Sequence, residues 1–453
     1  MIAPLTLEQA RTITGGTLSG ANVSFSAVST DTRTLQPGEL FIALKGPSFD
    51  GNDFVAIAQE RGACAALVSA DVATALPTLR VEDTRIALGQ LGRANRQASK
   101  AKVIALTGSQ GKTSVKEMTA TILAQAGKVH ATRGNLNNDF GVPLTLLQLG
   151  AEHDYAVIEM GANAPGEIAY TTKLAEPDIA LINNIAPTHL EGFGSLQGVA
   201  TAKAEIWQGL KPNGCAVVNL DDMNIPRHAK VSSTQKVVGI SAKGQTSALY
   251  GVEVVEDLGL EGSRFSVWTP QGKTKLKLTL PGRHNVANAL AAIALAMEAG
   301  AKLEHVERGI AEMRSVKGRL VVQQGRAGAT IIDDSYNASP ASFRAAIDVL
   351  KAREGLRIVV AGDMGELGAE KQRAHVELGE YARDAGIDLF MGTGELTRLA
   401  VEAFGPKGVH APDWQALATA VLPHLAADVT VLVKGSRSAG MERVVKQLLP
   451  DQA

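Results

Sequence analysis

The chain has 453 residues, 45% of them hydrophobic, with 45 basic side chains against 46 acidic ones. That length holds about two to four domains with sizeable cores, and the near balance of charge argues against general nucleic-acid binding, which shows as a basic face. Two cysteines without CxxC spacing, Cys64 and Cys215, argue against a disulfide framework or a zinc site.

The first ten residues carry no basic n-region, and no run reaches the roughly 18 apolar residues that span a bilayer. A cytoplasmic protein without stable membrane insertion is the expectation. Residues 1–99 hold short apolar runs at 39–44 and 63–68, divided by turn signals at 36–38 and 45–47. This pattern predicts a small α/β domain. A helical pattern over 84–99 would connect it to the next domain.

Residues 100–313 repeat strand-like runs at 103–107, 155–160, 179–183 and 216–220, with helical patterns between several of them, such as 114–126. Strands alternating with helices predict right-handed βαβ units and a mostly parallel sheet. Sharper alternation over 263–280 predicts an antiparallel pair, and an alanine-rich helix is expected over 284–299. Residues 314–453 repeat the scheme, with strands at 329–332, 357–361, 389–391 and 429–433 and helices at 342–351 and 373–385. The expected fold class is therefore α/β in three domains. A small N-terminal α/β domain precedes a central P-loop-type domain, and a C-terminal Rossmann-like doubly wound domain completes the chain.

The first chemistry-bearing stretch joins the 103–107 strand to a helix: Gly108, Ser109, Gln110, Gly111, Lys112, Thr113, Ser114. Glycines allow close backbone approach, and the helix start offers free amides and a positive dipole end to an anion. Lys112 can neutralise phosphate oxygens, and the Thr113 hydroxyl suits Mg²⁺. The usual Walker A spacing would put glycine where Leu106 stands, so an ordinary strand-to-helix turn remains the competing reading.

Glu159 ends an apolar run, where a carboxylate is either a metal ligand or a surface residue. His189 comes after another strand, and a lone histidine is more often structural. Lys203, in the helical run 202–206, reads locally as a solvated lysine. Asn135, Asn137, Asn138 and Asp139 crowd one turn, as such residues do for local reasons. Asp333, Asp334, Ser335, Tyr336 and Asn337 end one C-terminal strand, and Lys434, Gly435, Ser436 and Arg437 end another. Strand ends of this kind face the ligand crevice of a parallel sheet. Routine capping is the alternative.

Together these stretches resemble the Mur ligases, the ATP-dependent amide-forming ligases of bacterial peptidoglycan synthesis. The compact phosphate loop of that family, T-G-(S/T/N)-x-G-K-(T/S), is matched by residues 107–113, so Leu106 is no defect. The resemblance spans nearly the whole chain. It implies a UDP-sugar-binding domain at 1–99, an ATPase domain at 100–313 and a domain at 314–453 that binds nucleotide and dipeptide. Stretches at 134–143, 335–340, 362–368 and 434–438 resemble the member that joins D-alanyl-D-alanine to UDP-N-acetylmuramoyl-tripeptide.

The resemblance implies ATP and Mg²⁺, with Thr113, Glu159 and His189 at the metal and Lys112, His189 and Lys203 in catalysis. Lys203 matches a lysine carbamylated in several relatives. Asn288, Arg319, Asp334 and Tyr336 match nucleotide-contacting positions. Ser29, Asp31, Arg33, Lys45 and Gly46 match UDP-sugar contacts, and Asn135, Asn138, Asn337, Ala338, Ser339, Lys434, Ser436 and Arg437 are the other candidate substrate contacts. A monomer is the expectation. Another ligase of the superfamily and a nucleotide-controlled switch are the rival readings.

Overall fold

The structure, a computed structural model, describes residues 1–225 and 231–450. Three α/β units succeed one another along the chain. The first contains a five-stranded sheet in the order Thr17–Ser19, Thr78–Arg80, Ala65–Val68, Leu40–Ile42, Val28–Ser29, antiparallel at the first pair and parallel elsewhere. The helix Thr84–Ala98 leads out of it, capped by Asp83, whose carboxylate accepts from the amides of Arg85 and Ile86.

Among the described residues the central sheet has nine strands. Val129–Ala131, Tyr155–Glu159, Lys102–Thr107, Ile179–Ile182, Cys215–Asn219, Lys236–Ser241 and Tyr250–Asp257 run parallel. Ser263–Thr269 and Gly272–Leu278 then add two antiparallel strands. The antiparallel pair expected at 263–280 is thus present. The preceding strands Lys236–Ser241 and Tyr250–Asp257 do not stand out as apolar runs, because Lys236, Gly239, Glu253 and Glu256 interrupt them.

Alternation places Ile104 and Leu106 in one core and Val103 and Ala105 in the other, so the Lys102–Thr107 strand is covered on both faces. Val115, Met118 and Ile122 of helix Lys112–Ala124 pack on the first face, beside helix Arg283–Glu298. That second helix is buried almost all round from Val286 to Met297, which its alanines permit by letting neighbours approach closely.

The C-terminal sheet has the order Val321–Gln324, Thr330–Asp334, Val429–Lys434, Leu356–Ala361, Leu389–Thr393, Gly408–Ala411. All pairs are parallel except the first. No helix among the described residues is long and apolar enough to cross a membrane.

Candidate active site

In the central sheet, Lys102–Thr107 lies between Tyr155–Glu159 and Ile179–Ile182. The chain runs to one edge after that strand and later crosses to its other side. The strand's C-terminal end is therefore a topological switch point, where a crevice opens. The loop Gly108–Gly111 emerges there and enters helix Lys112–Ala124 through Gly111 at φ 73°, without a side-chain cap. A Cβ at Gly111 would collide with Asn288 Oδ1 and stand 2.9 Å from Asn183 Nδ2. Both conformation and space thus call for glycine.

The Ser109 amide donates to Asn184 O and the Gln110 amide to Asn184 Oδ1, at 2.9 and 2.8 Å. The uncapped helix start remains as the anion-binding end. The Lys112 ammonium donates to Gly108 O at 2.8 Å, so it is folded back over the loop. Dense surrounding protein draws its pKa down, opposed by the nearby carboxylates of Glu159 and Glu366.

Glu159 is not a surface residue: it is 2% exposed. Asn137 Nδ2 donates to its Oε1 at 2.8 Å, while Oε2 is buried with no partner among the described residues. An orphaned carboxylate oxygen beside a phosphate loop is the feature a bound cation would satisfy. Thr113 and His189 line the same cleft. Among the described residues, no group of three or more His, Cys, Asp or Glu side chains could hold a metal. The free Glu159 oxygen and the Thr113 hydroxyl are oxygen donors of the kind Mg²⁺ takes, an ion that usually keeps water and phosphate in its shell. His189 sits at φ 52° and its Nδ1 lies 2.7 Å from Glu366 Oε2.

The cleft, of about 410 Å³, continues between the central and C-terminal sheets. Asn288 is 6% exposed, accepting from Asn183 Nδ2 at 3.0 Å and donating to Asn285 Oδ1 at 3.2 Å. Arg319 donates to Thr113 Oγ1 at 3.1 Å and stacks over Tyr336, 4.5 Å from the ring centroid. Asp334 and Lys434 end neighbouring parallel strands in register, and the Lys434 ammonium pairs with Asp334 and donates to Asn337 O. The two polar loops that stand apart in the sequence thus meet. Ser339 caps helix Pro340–Lys351 and accepts from Gln110 Nε2 at 3.0 Å, a direct bond from phosphate loop to C-terminal unit. Ala338 lies beside it on the cleft wall.

Not every residue expected from the sequence joins this cleft. Asn138 lines it and Asn135 does not. Ser436 and Arg437 also lie off its wall, although Arg437 reaches the Tyr336 ring at 5.7 Å. Ser29, Asp31, Arg33, Lys45 and Gly46 belong to the N-terminal unit and are absent from the cleft wall. There Asp31 binds Arg33, which holds its carboxyl at about 2, and Lys45 lies 3.7 Å from Asp50.

Lys203 departs from its local reading as a solvated lysine. It is 1% exposed, with its ammonium 6.0 Å from the Phe193 ring centroid, and burial together with nearby Lys112 holds its pKa well below the lysine range. Asn137, Asn183, Asn184 and Glu366 are not among the residues expected at the site from sequence, yet all four line the cleft. For Asn183 and Asn184 a signal exists: paired asparagines directly after a buried strand.

Comparison with known proteins places the chain in a family. The Mur ligase family, catalytic domain, matches residues 24–103; the Mur ligase middle domain matches 106–296; and the Mur ligase, glutamate ligase domain, matches 318–437. The chain is 48% identical over 446 residues to the UDP-N-acetylmuramoyl-tripeptide–D-alanyl-D-alanine ligase of Escherichia coli (strain K12), covering 98% of both chains. It is 36% identical to the enzyme of that name from Bacillus subtilis (strain 168), covering 93% of both. Among solved structures, MurF from Acinetobacter baumannii superposes with a TM-score of 0.92 at 36% identity, covering 99% of each chain. The MurF ligase of Thermotoga maritima in complex with ADP gives 0.83 at 27%, covering 93% of this chain and 96% of that one. With a shared three-part architecture and near-complete coverage at this identity, the chain belongs to the Mur ligase family.

Proposed function

We propose that this chain joins D-alanyl-D-alanine to UDP-N-acetylmuramoyl-tripeptide in an ATP-dependent step of peptidoglycan synthesis, through an acyl phosphate. The observation that carries the reading is the 48% identity to a ligase of that name across 98% of both chains. The cleft between the central and C-terminal units supports it, because the phosphate loop and the Asp334–Lys434 pair share one wall.

In this reading ATP lies in the cleft, with Lys112 and the amides at the start of helix Lys112–Ala124 on its phosphates. Asn288, Arg319, Asp334 and Tyr336 hold the nucleoside end. Thr113, Glu159 and His189 would hold Mg²⁺, which when bound supplies positive charge between a carboxylate and a triphosphate that otherwise repel. The tripeptide carboxylate takes the γ-phosphoryl group and ADP leaves. The dipeptide amine then attacks the acyl carbon, phosphate leaves, and the amide forms. Lys112 supplies charge stabilisation in place of covalent chemistry, as phosphoryl transfer requires. Closure of the C-terminal unit excludes water that would hydrolyse the acyl phosphate.

Lys203 is suited to carbamylation, since burial favours its neutral, nucleophilic amine. The resulting anion would face Lys112. The residues Ser29, Asp31, Arg33, Lys45 and Gly46 are proposed for the UDP-sugar, and Asn135, Asn138, Asn337, Ala338, Ser339, Lys434, Ser436 and Arg437 for the other substrate groups. A cytoplasmic monomer is the proposed state.

Phosphate release measured with each co-substrate omitted in turn tests the assignment. Rapid release without the tripeptide nucleotide would overturn it. With ¹⁸O in the tripeptide carboxylate, label is expected in the released phosphate, and unlabelled phosphate would exclude the acyl-phosphate route.

A further inference from the structure

Glu366 belongs to the loop 365–368 of the C-terminal unit, but its carboxylate ends on the central unit, 2.7 Å from His189 Nδ1. Neither residue adopts a relaxed backbone. His189 has φ 52° and Glu366 has φ 63°, both left-handed and neither a glycine. Such conformations persist where surrounding structure over-determines them, and they gather at functional sites. The loop also seats against the segment after His189: a Cβ on Gly368 would lie 3.7 Å from the Glu191 amide nitrogen. The Phe193 ring also meets the imidazole edge-on, with centroids 6.4 Å apart. The imidazole is thus held at Nδ1 by a carboxylate and flanked by a ring.

An imidazole whose Nδ1 donates to a carboxylate presents Nε2 as its basic nitrogen. That is the arrangement in which histidines ligate metals, with the outer carboxylate fixing tautomer and orientation. Both His189 and Glu366 line the cleft that holds the unpartnered Glu159 oxygen. We infer that Glu366 is a positioning residue, which fixes the His189 imidazole with Nε2 toward the metal and makes a competent metal site conditional on docking of the C-terminal unit. This rests on the proposed metal role of His189. It adds that one of the groups ordering the site comes from the opposite domain. The cation would then be held fully only when the two halves of the cleft have met.

Two measurements on the full chain test this. Mn²⁺ binding is monitored by EPR with a non-hydrolysable ATP analogue present, in wild type, His189→Ala, Glu366→Gln and Glu366→Ala. Loss of an outer-shell partner weakens metal binding roughly 10- to 100-fold. The lower end, about tenfold, is expected for Glu366→Ala because the Glu366 side chain is 59% exposed. Glu366→Gln retains an acceptor for Nδ1–H and should fall between Glu366→Ala and wild type. Unchanged Mn²⁺ affinity in His189→Ala would overturn the metal role itself, and the inference with it. Weakened binding in His189→Ala with wild-type affinity in both Glu366 variants would overturn the inference alone.

The second measurement needs no variant in the assay sample. A long-range ¹H–¹⁵N spectrum of histidine-labelled wild type, with Mg²⁺ and the analogue, is expected to show His189 protonated at Nδ1 and unprotonated at Nε2. The His189 signal is assigned by its disappearance in His189→Ala. A proton on Nε2 would overturn the arrangement.

Discussion

Lys112 and Lys203 are lysines whose charged form the surrounding protein disfavours, and they are tied to different things. Lys112 donates to Gly108 O and has two nearby carboxylates, Glu159 and Glu366, that oppose the lowering of its pKa by desolvation and by Arg319. Lys112→Ala is expected to lower kcat by about two to three orders of magnitude, the scale of losing one transition-state charge contact, with the thermal melt near wild type. Near-normal turnover would remove it from the reaction. Lys203 has the Phe193 ring and a second lysine nearby, and its pKa is drawn well down. A lysine whose folded pKa lies below its unfolded one binds fewer protons when folded. Stability then rises with pH between the lowered folded value and the ordinary lysine value of about 10.4. In CO₂-free buffer, Lys203→Met should raise Tm most at the lowest pH at which the chain stays folded, and the gain should shrink as the pH nears the ordinary lysine value. A gain independent of pH would show that titration of Lys203 contributes nothing. Sequence alone could not supply this, because a helical lysine looks the same whether it faces water or a packed sheet.

At the scale of elements, neighbouring strand ends bring distant residues together. Asp334 and Lys434 are 100 positions apart and meet because Thr330–Asp334 and Val429–Lys434 are parallel and in register. Their side chains are 13% and 3% exposed. Removing one partner of a buried pair strands the other, at about 3–5 kcal/mol. Lys434→Met should therefore destabilise the chain by roughly that amount, and Lys434→Met with Asp334→Asn by clearly less, as read from denaturant midpoints. Equal losses would mean the pair is not coupled. The strands themselves are legible as apolar runs ending in polar residues, and so is the phosphate loop between its strand and helix. The pairing of the two polar loops is not, since it depends on sheet order, which no local pattern carries. The role of Asn137 is hidden for another reason. A turn crowded with asparagines does not reveal that Asn137 is the one bonded to Glu159.

At the scale of the molecule, the central and C-terminal units touch across the cleft through polar links that include Arg319 to Thr113, Ser339 to Gln110, and Glu366 to His189. A net hydrogen bond is worth about 0.5–1.5 kcal/mol, somewhat more when charged, so these links hold the docked arrangement by only a few kcal/mol. A nucleotide bound between Lys112 on one side and Arg319 and Tyr336 on the other would add contacts only the docked arrangement can make. A ligand shifts an equilibrium by its differential affinity for the two states. Small-angle scattering should therefore give a smaller radius of gyration with Mg²⁺ and a non-hydrolysable ATP analogue than without them. Arg319 bonds the phosphate-loop helix and stacks on Tyr336 at once. Arg319→Ala should weaken the analogue and leave the radius near its ligand-free value at concentrations that compact wild type. If wild type shows one radius with and without ligand, the docked arrangement already dominates the free chain, and closure is not what the nucleotide contributes.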